Sequence, residues 1–251
     1  MMEKVSHKDM LEAGVHFGHL KRKWNPKMLP YIFAERKGIH LIDLNKTSES
    51  LEEAAHAVRQ IVKSGRKVLF VATKKQAKEV VKAEAQRANM PFVTERWLGG
   101  MLTNFATIRR SVKKMESIRK LLDDKNTTSL TKKERLLLGR QLQKLSMVLG
   151  GIENLNRVPA AVYVVDITYE DIAIKEAKKL GIRTLGMVDT NSNPNSIDFP
   201  IPSNDDAANS IQLITSCLAD AAIAGSKDRA QMKEENAKSE EKAPSEEKAA
   251  E

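Results

Sequence analysis

The chain has 251 residues, 41% of them apolar and 4% aromatic, and its 42 Lys and Arg outnumber 33 Asp and Glu, a formal charge of +9. That length buries a substantial core, as one large or two small domains, while so few rings argue against a module that stacks many bases on exposed aromatics. The single cysteine, Cys217, excludes an internal disulfide framework and reads as a small buried hydrophobe within IQLITSCLADAAIA.

The N-terminal MMEKVSHKDM lacks the apolar stretch of a signal peptide. The longest apolar runs are broken by Asp166 or Asp220, well short of the ~20 residues that span a bilayer, so a soluble intracellular chain is expected. His16 and His19, in HFGH, stand three apart. No nearby Cys or HExxH pattern adds further ligands, so a structural or RNA-contacting role is expected, with no metal and no other cofactor. Positions 21–37 then hold six basic residues and one acid, with Trp24 and Tyr31 interleaved. Such cations neutralise phosphates, and Trp24 either stacks on an unpaired base or packs beneath the loop.

Residues 39–44 predict a strand and 48–64 a helix. The run 68–72, Val-Leu-Phe-Val-Ala, is a strand covered on both faces. A helix over 75–89 and a short strand over 92–94 follow. Around Trp97 the expectation is a buried ring anchoring what comes next. Residues 103–149 carry twelve Lys or Arg against four Asp or Glu, so most of the chain's excess charge sits there. Phe105, Ile108, Val112, Met115 and Ile118 recur at helical spacing, as do Leu138, Leu142, Leu145 and Leu149. The turn chemistry of 123–128 separates them, and Thr131 with Glu134 forms a capping box. Paired glycines, Gly99-Gly100 and Gly150-Gly151, flank the whole. A coiled-coil α-hairpin is predicted, with Arg109, Arg110, Lys113, Lys114, Arg119, Lys120, Lys132, Lys133 and Arg135 on its outer face. After it come a strand at 160–165, a helix at 169–180, a strand at 183–188 and a helix at 205–224. Alternating strands and helices predict an α/β fold, a parallel sheet with helices on both faces. From Ser226 to Glu251 only Met232 is a large apolar residue, so a disordered or frayed tail is expected. The predicted units are a basic N-terminal segment (1–37), a discontinuous α/β domain (38–102 and 150–225), the hairpin (103–149) and the tail (226–251).

Asp43, Asp166 and Asp189 fall at predicted strand ends, where open α/β sheets gather ligands. The more ordinary reading is that they end strands and cap helices. The loop Ala72-Thr73-Lys74-Lys75-Gln76 has no glycine and forms neither a dinucleotide fingerprint nor a P-loop. With no nucleophile elbow either, catalysis lacks support. An enzyme acting on a phosphorylated small molecule through Asp166, Asp189 and Lys74 stays as the alternative.

EAGVHFGH (12–19), WNPKMLPYIF (24–33), RWLGGMLTNF (96–105), LGGI (149–152) and VDTNSNPNSIDFPIPSNDDA (188–207) together closely resemble the bacterial small-subunit ribosomal protein S-two family. The resemblance runs in order from about Lys8 to Ala224. It implies a flavodoxin-like domain with an inserted α-hairpin and a non-catalytic place on the small ribosomal subunit in the cytoplasm. Its implied partners are small-subunit ribosomal RNA and neighbouring ribosomal proteins including S-one, with no membrane and no homo-oligomer. The implied RNA contacts are Lys21, Arg22, Lys23, Trp24, Asn25, Lys27, Arg36, Arg96, Asn104, Arg109 and Arg110. The charge of the hairpin adds Lys113 and Lys114.

Overall fold

A computed structural model describes residues 5–124 and 131–247. Its centre is a five-stranded parallel sheet of order β5-β4-β6-β7-β8, built from Val68–Val71 (β4), Phe92–Val93 (β5), Ala161–Val165 (β6), Arg183–Val188 (β7) and Phe199–Pro202 (β8). Period-two alternation turns these continuous apolar runs into two cores. Val68, Phe70, Ala161, Tyr163, Val165, Leu185 and Met187 face one side with helices α2 (Leu44–Lys63), α3 (Lys75–Arg87) and α7 (Ala208–Glu247). Leu69, Val71, Val162, Val164 and Val188 face the other, with α4 (Phe105–Asp123), α6 (Asp171–Lys179) and the root of α5 (Lys132–Leu149). Pro200 and Pro202 confine β8 to the sheet edge, because proline donates no ladder hydrogen bond.

A second sheet stands apart from this alternation. Following the short helix α1 (His7–Glu12), Phe17–Leu20 (β1), Ile32–Arg36 (β2) and Ile39–Ile42 (β3) pair antiparallel in the order β1-β3-β2. The strand predicted at 39–44 therefore belongs to this small sheet, and the unit boundary drawn after residue 37 falls inside a hairpin turn. Lys37 and Gly38 both take positive φ there (53° and 75°), as a two-residue turn joining twisted strands requires.

Helix α7, expected over 205–224, runs on to Glu247, through most of the segment expected to be a disordered or frayed tail. At the start of this extension an ion pair ties it to α2. Arg59 of α2 donates from Nε and Nη2 to Asp228 at 2.7 and 3.1 Å, and that hydrogen bonding lowers the Asp228 pKa.

In the hairpin, Ile108, Val112, Met115 and Ile118 of α4 are buried, whereas α5 buries only Leu149 and leaves Leu136, Leu137 and Met147 exposed. Both halves of the Thr131–Glu134 capping box are present. Part of the predicted turn, 125–130, lies outside the described residues. The two glycines of the exit joint differ sharply. A Cβ on Gly151 would sit 2.2 Å from the Phe92 carbonyl oxygen and 2.7 Å from its ring, whereas one on Gly150 meets nothing within 4 Å. Gly151→Ala is therefore expected to cost ~2–3 kcal/mol in chemical denaturation, as overpacking does. Gly150→Ala is expected to be neutral or to stabilise by ~0.5 kcal/mol.

Candidate nucleic-acid interface

The basic loop and the hairpin root rest on the same face of the main sheet. Met28, within the basic loop, is buried in the same cluster as Trp97, Met101, Leu102, Ile108, Val112 and Met115. The loop itself is a pair of 3-10 turns, Lys21–Lys23 and Pro26–Tyr31. Asn25 fixes it twice over. Its side-chain oxygen accepts from Lys27 N at 3.0 Å, and its backbone N–H donates to the Thr190 carbonyl at 2.8 Å. The half-buried Trp24 ring meets His40 edge-on at 5.2 Å, so packing beneath the loop is the arrangement seen. Lys21 reaches Glu35 at 2.6 Å. Arg22, Lys23, Lys27 and Arg36 remain exposed.

Trp97 is buried as the anchor of the hairpin, and its partner is a carboxylate that sequence reasoning missed. Glu176, on α6, accepts from Trp97 Nε1 at 3.2 Å, Gly100 N at 2.7 Å, and Leu102 N and Thr103 N at 3.0 Å each. Thr103 Oγ1 adds a fifth bond at 3.1 Å. Burial alone would raise the pKa of Glu176. The backbone N–H donors of Thr103, Gly100 and Leu102 outweigh that and lower it. One side chain thereby organises the whole entry turn RWLGGMLTN. A lone Glu within IAIKEAKK carried no local signal for this.

The predicted phosphate contacts divide on the hairpin. Arg109 turns inward, donating to the Glu153 carbonyl at 3.0 Å and to Asn156 Oδ1 at 2.8 Å. Arg119 forms a bidentate pair with Glu153, with bonds at 2.6 and 3.3 Å, and Arg135 caps the Leu122 carbonyl at 2.9 Å. These three hold the hairpin to its base and to itself. Arg110, Lys113 and Lys114 are exposed one turn apart on α4, a single cationic face. Arg96 and Asn104 are exposed beside the root, Asn104 accepting from Thr107 Oγ1 at 2.9 Å.

The carboxyl edge of the sheet is filled from within. Lys74 Nζ lies 3.3 Å from Asp166 Oδ2, 2.8 Å from Asp205 Oδ1 and 2.6 Å from Asp206 Oδ1. Burial would lower the Lys74 pKa, but hydrogen bonds to Asp205 and Asp206 raise it instead. Asp205 is pushed up to about 7, first by burial and then by Asp166 and Asp189. Asp166 sits at φ 65°, and its Oδ1 accepts from Thr168 N and Tyr169 N at 3.0 Å each. Asp43 caps α2 by accepting from Asn45 N at 3.0 Å. Thr73 N donates to Glu170 at 2.8 Å, so the loop after β4 is pinned. A groove of about 460 Å³ lies elsewhere, between α3 and the hairpin root, lined by Lys67, Lys82, Gln86, Ser146 and Asn154 among others. Cys217 is half-buried against the core, its thiol pushed up to about 11 by burial and then by Asp220. Among the described residues no helix is long and apolar enough to cross a membrane.

Comparison with known proteins identifies the family. A family model described as Ribosomal protein S2 matches residues 10–225. The Small ribosomal subunit protein uS2 of Cytophaga hutchinsonii is 64% identical over 218 residues, covering 87% of this chain and 86% of its own. The protein of that name from Flavobacterium johnsoniae is 56% identical over 237 residues, covering 94% and 93%. Its counterpart in Bacteroides thetaiotaomicron is 56% identical over 228 residues, covering 91% and 82%. The chain belongs to the Ribosomal protein S2 family, whose members are structural components of the ribosome and not enzymes.

Proposed function

We propose that this chain is a structural constituent of the small ribosomal subunit in the cytoplasm, and that it binds small-subunit ribosomal RNA through the 21–37 loop and the outer face of α4. The observation that carries the reading is the exposed row Arg110, Lys113 and Lys114, on a hairpin where Arg109, Arg119 and Arg135 are spent internally. Lys and Arg on phosphates suit a folded RNA, whose A-form helices hide their base edges in a deep groove. The pinned loop at 21–27 keeps Arg22, Lys23 and Lys27 displayed without the entropy cost of ordering them on binding.

Filter binding to small-subunit RNA across a salt series tests this. The logarithm of the binding constant should fall linearly with that of salt concentration. The variant with Arg110, Lys113 and Lys114 all changed to Ala should flatten the slope by up to ~1 per residue. Arg109→Ala should instead lower the melting temperature, because it removes a brace. A slope untouched by the triple change would remove the hairpin face from the interface. Docking of ribosomal protein S-one is a further part of this reading, supported by the family resemblance alone. Small subunits depleted of this chain should carry less S-one and recover it on add-back.

A further inference from the structure

We propose that a cationic groove at the amino edge of the main sheet binds one unpaired RNA strand through its phosphates, as a contact separate from the loop and the hairpin. The proposal rests on the reading above only in taking RNA as the polyanion. This edge is opposite to the one that carries the 21–37 loop, where Asn25 is hydrogen-bonded to Thr190 just beyond the carboxyl end of β7. The groove, of about 550 Å³, opens between the segments leading into β4 and β6. Arg66, Lys67 and Arg157 line it together with Asn154 and Asn156, and no carboxylate among the described residues does. The extension of α7 adds a fourth cation. A Cβ at position 65 would lie 2.6 Å from Arg229 Nη2, so that guanidinium sits directly against Gly65, itself part of the lining. Gly65 takes φ 85°, a conformation that favours glycine and so keeps the approach open.

Two features separate this groove from an ordinary solvated face. First, its charge is not neutralised from within. Neighbouring acids are taken by other cations: Glu153 by Arg119 at 2.6 Å, Asp228 by Arg59 at 2.7 Å and Glu95 by Lys78 at 2.9 Å. Arg66, Lys67, Arg157 and Arg229 form no ion pair among the described residues. Second, the walls are held in place before any ligand arrives. Arg109 braces the Glu153 carbonyl and Asn156 Oδ1, Leu155 is buried, and Ala160 N donates to the Lys67 carbonyl at 3.0 Å, joining the two segments. Like charges gathered on a fixed frame repel one another, and an anion relieves them. The groove also continues. It shares Lys67 and Asn154 with the groove of about 460 Å³ beside the hairpin root, where Lys82 and Gln86 are exposed. A track of cations longer than one pocket suits a backbone strand better than a compact anion. The amides of Gln86, Asn154 and Asn156 along it suit the base edges that unpaired RNA exposes.

The test is fluorescence anisotropy of the full chain with a labelled oligouridylate of about 12 nucleotides, a length that single-strand grooves accommodate, across a salt series. Arg66→Ala, Arg157→Ala and Arg229→Ala should each flatten the logarithmic salt slope by ~0.7, the value for one phosphate of a single strand. The three together should weaken binding at least ~10-fold at low salt. Lys179→Ala, exposed on α6, should change nothing. All three arginines are exposed, so their variants keep the fold. The same oligouridylate carrying a photoreactive base should cross-link to residues 65–67 or 154–157. Cross-links confined to the 21–37 loop and α4 would overturn the groove while leaving the hairpin reading in place. Absence of binding at low salt, or a slope indifferent to the triple change, would overturn it too. So would equal displacement of the strand by tripolyphosphate, by polyglutamate or by duplex RNA, which would make the site one for compact anions, acidic peptides or paired RNA instead.

Discussion

Glu176→Gln should destabilise the protein by about 3 kcal/mol, although it removes no atom and changes no shape. Both carboxylate oxygens accept from donors only: Trp97 and Gly100 on Oε1, Leu102 and Thr103 on Oε2. Whichever way the amide is turned, its NH₂ faces N–H groups, and at least two buried donors lose their acceptor. An unsatisfied buried donor costs ~1–3 kcal/mol, and a hydrogen bond to a charged group contributes ~1.5–3 kcal/mol. For a chain of this size that is a fall of roughly 6–12 °C in melting temperature. Native-state hydrogen exchange should show the loss concentrated in 97–123, because the network ties the entry turn and the first turn of α4 to α6. The same group sets a pH dependence. Its folded pKa lies below the ordinary 4.5. Its contribution is therefore complete above pH 4.5 and fades as pH falls through the lowered value. Wild type should lose stability in that acid range more steeply than Glu176→Gln does. A variant that melts with wild type would show that the entry turn stands without this carboxylate.

How far the sequence disclosed the protein follows the range over which each feature is encoded. Four strands of the main sheet were legible, β4 and β6 because they are unbroken apolar runs, but the edge strand β8, interrupted by Pro200 and Pro202, was not. The hairpin was legible because a 3.6-residue period and a capping box are local signals. Of the small sheet only β3 was. Its strands are four or five residues long and half-exposed, with register shifts at 17/20 and 32/34 that blur the alternation. The one local sign was Lys37-Gly38 between two short runs. Charge was legible in amount but not in assignment. Arg109, Arg110 and Arg119 look equivalent as letters, yet two of them brace the Glu153–Asn156 segment and one faces outward. HFGH was weighed against partners nearby in sequence, whereas His19 meets Asp189 at 2.9 Å and Asp206 at 3.5 Å, some 170 to 190 residues away. Alternation in a parallel sheet puts loops from distant segments at one edge, so a local motif search misses such clusters by construction.

Lys74→Met is the substitution in which that edge should declare itself. The thioether chain fills much of the space of the lysine stem but leaves Asp166, Asp205 and Asp206 without their ammonium. Asp205 and Asp189 are buried, and Asp166 nearly so; a buried charge stripped of its partner costs ~3–5 kcal/mol. Asp206 is half in water and contributes little of this, so ~3 kcal/mol is expected, measured by denaturant unfolding. The loss should not be that of a mere packing defect. Adding Asp205→Asn removes the most deeply buried of the unpaired charges, so the double variant should be more stable than the sum of the single losses predicts, with a coupling of at least ~1 kcal/mol. Additive losses would mean that Lys74 supports the edge through its methylene stem. The enzyme reading of this cluster then has nothing left to stand on either, because a lysine held by three carboxylates is protonated and engaged: its charge has a structural use, and its proton is not on offer.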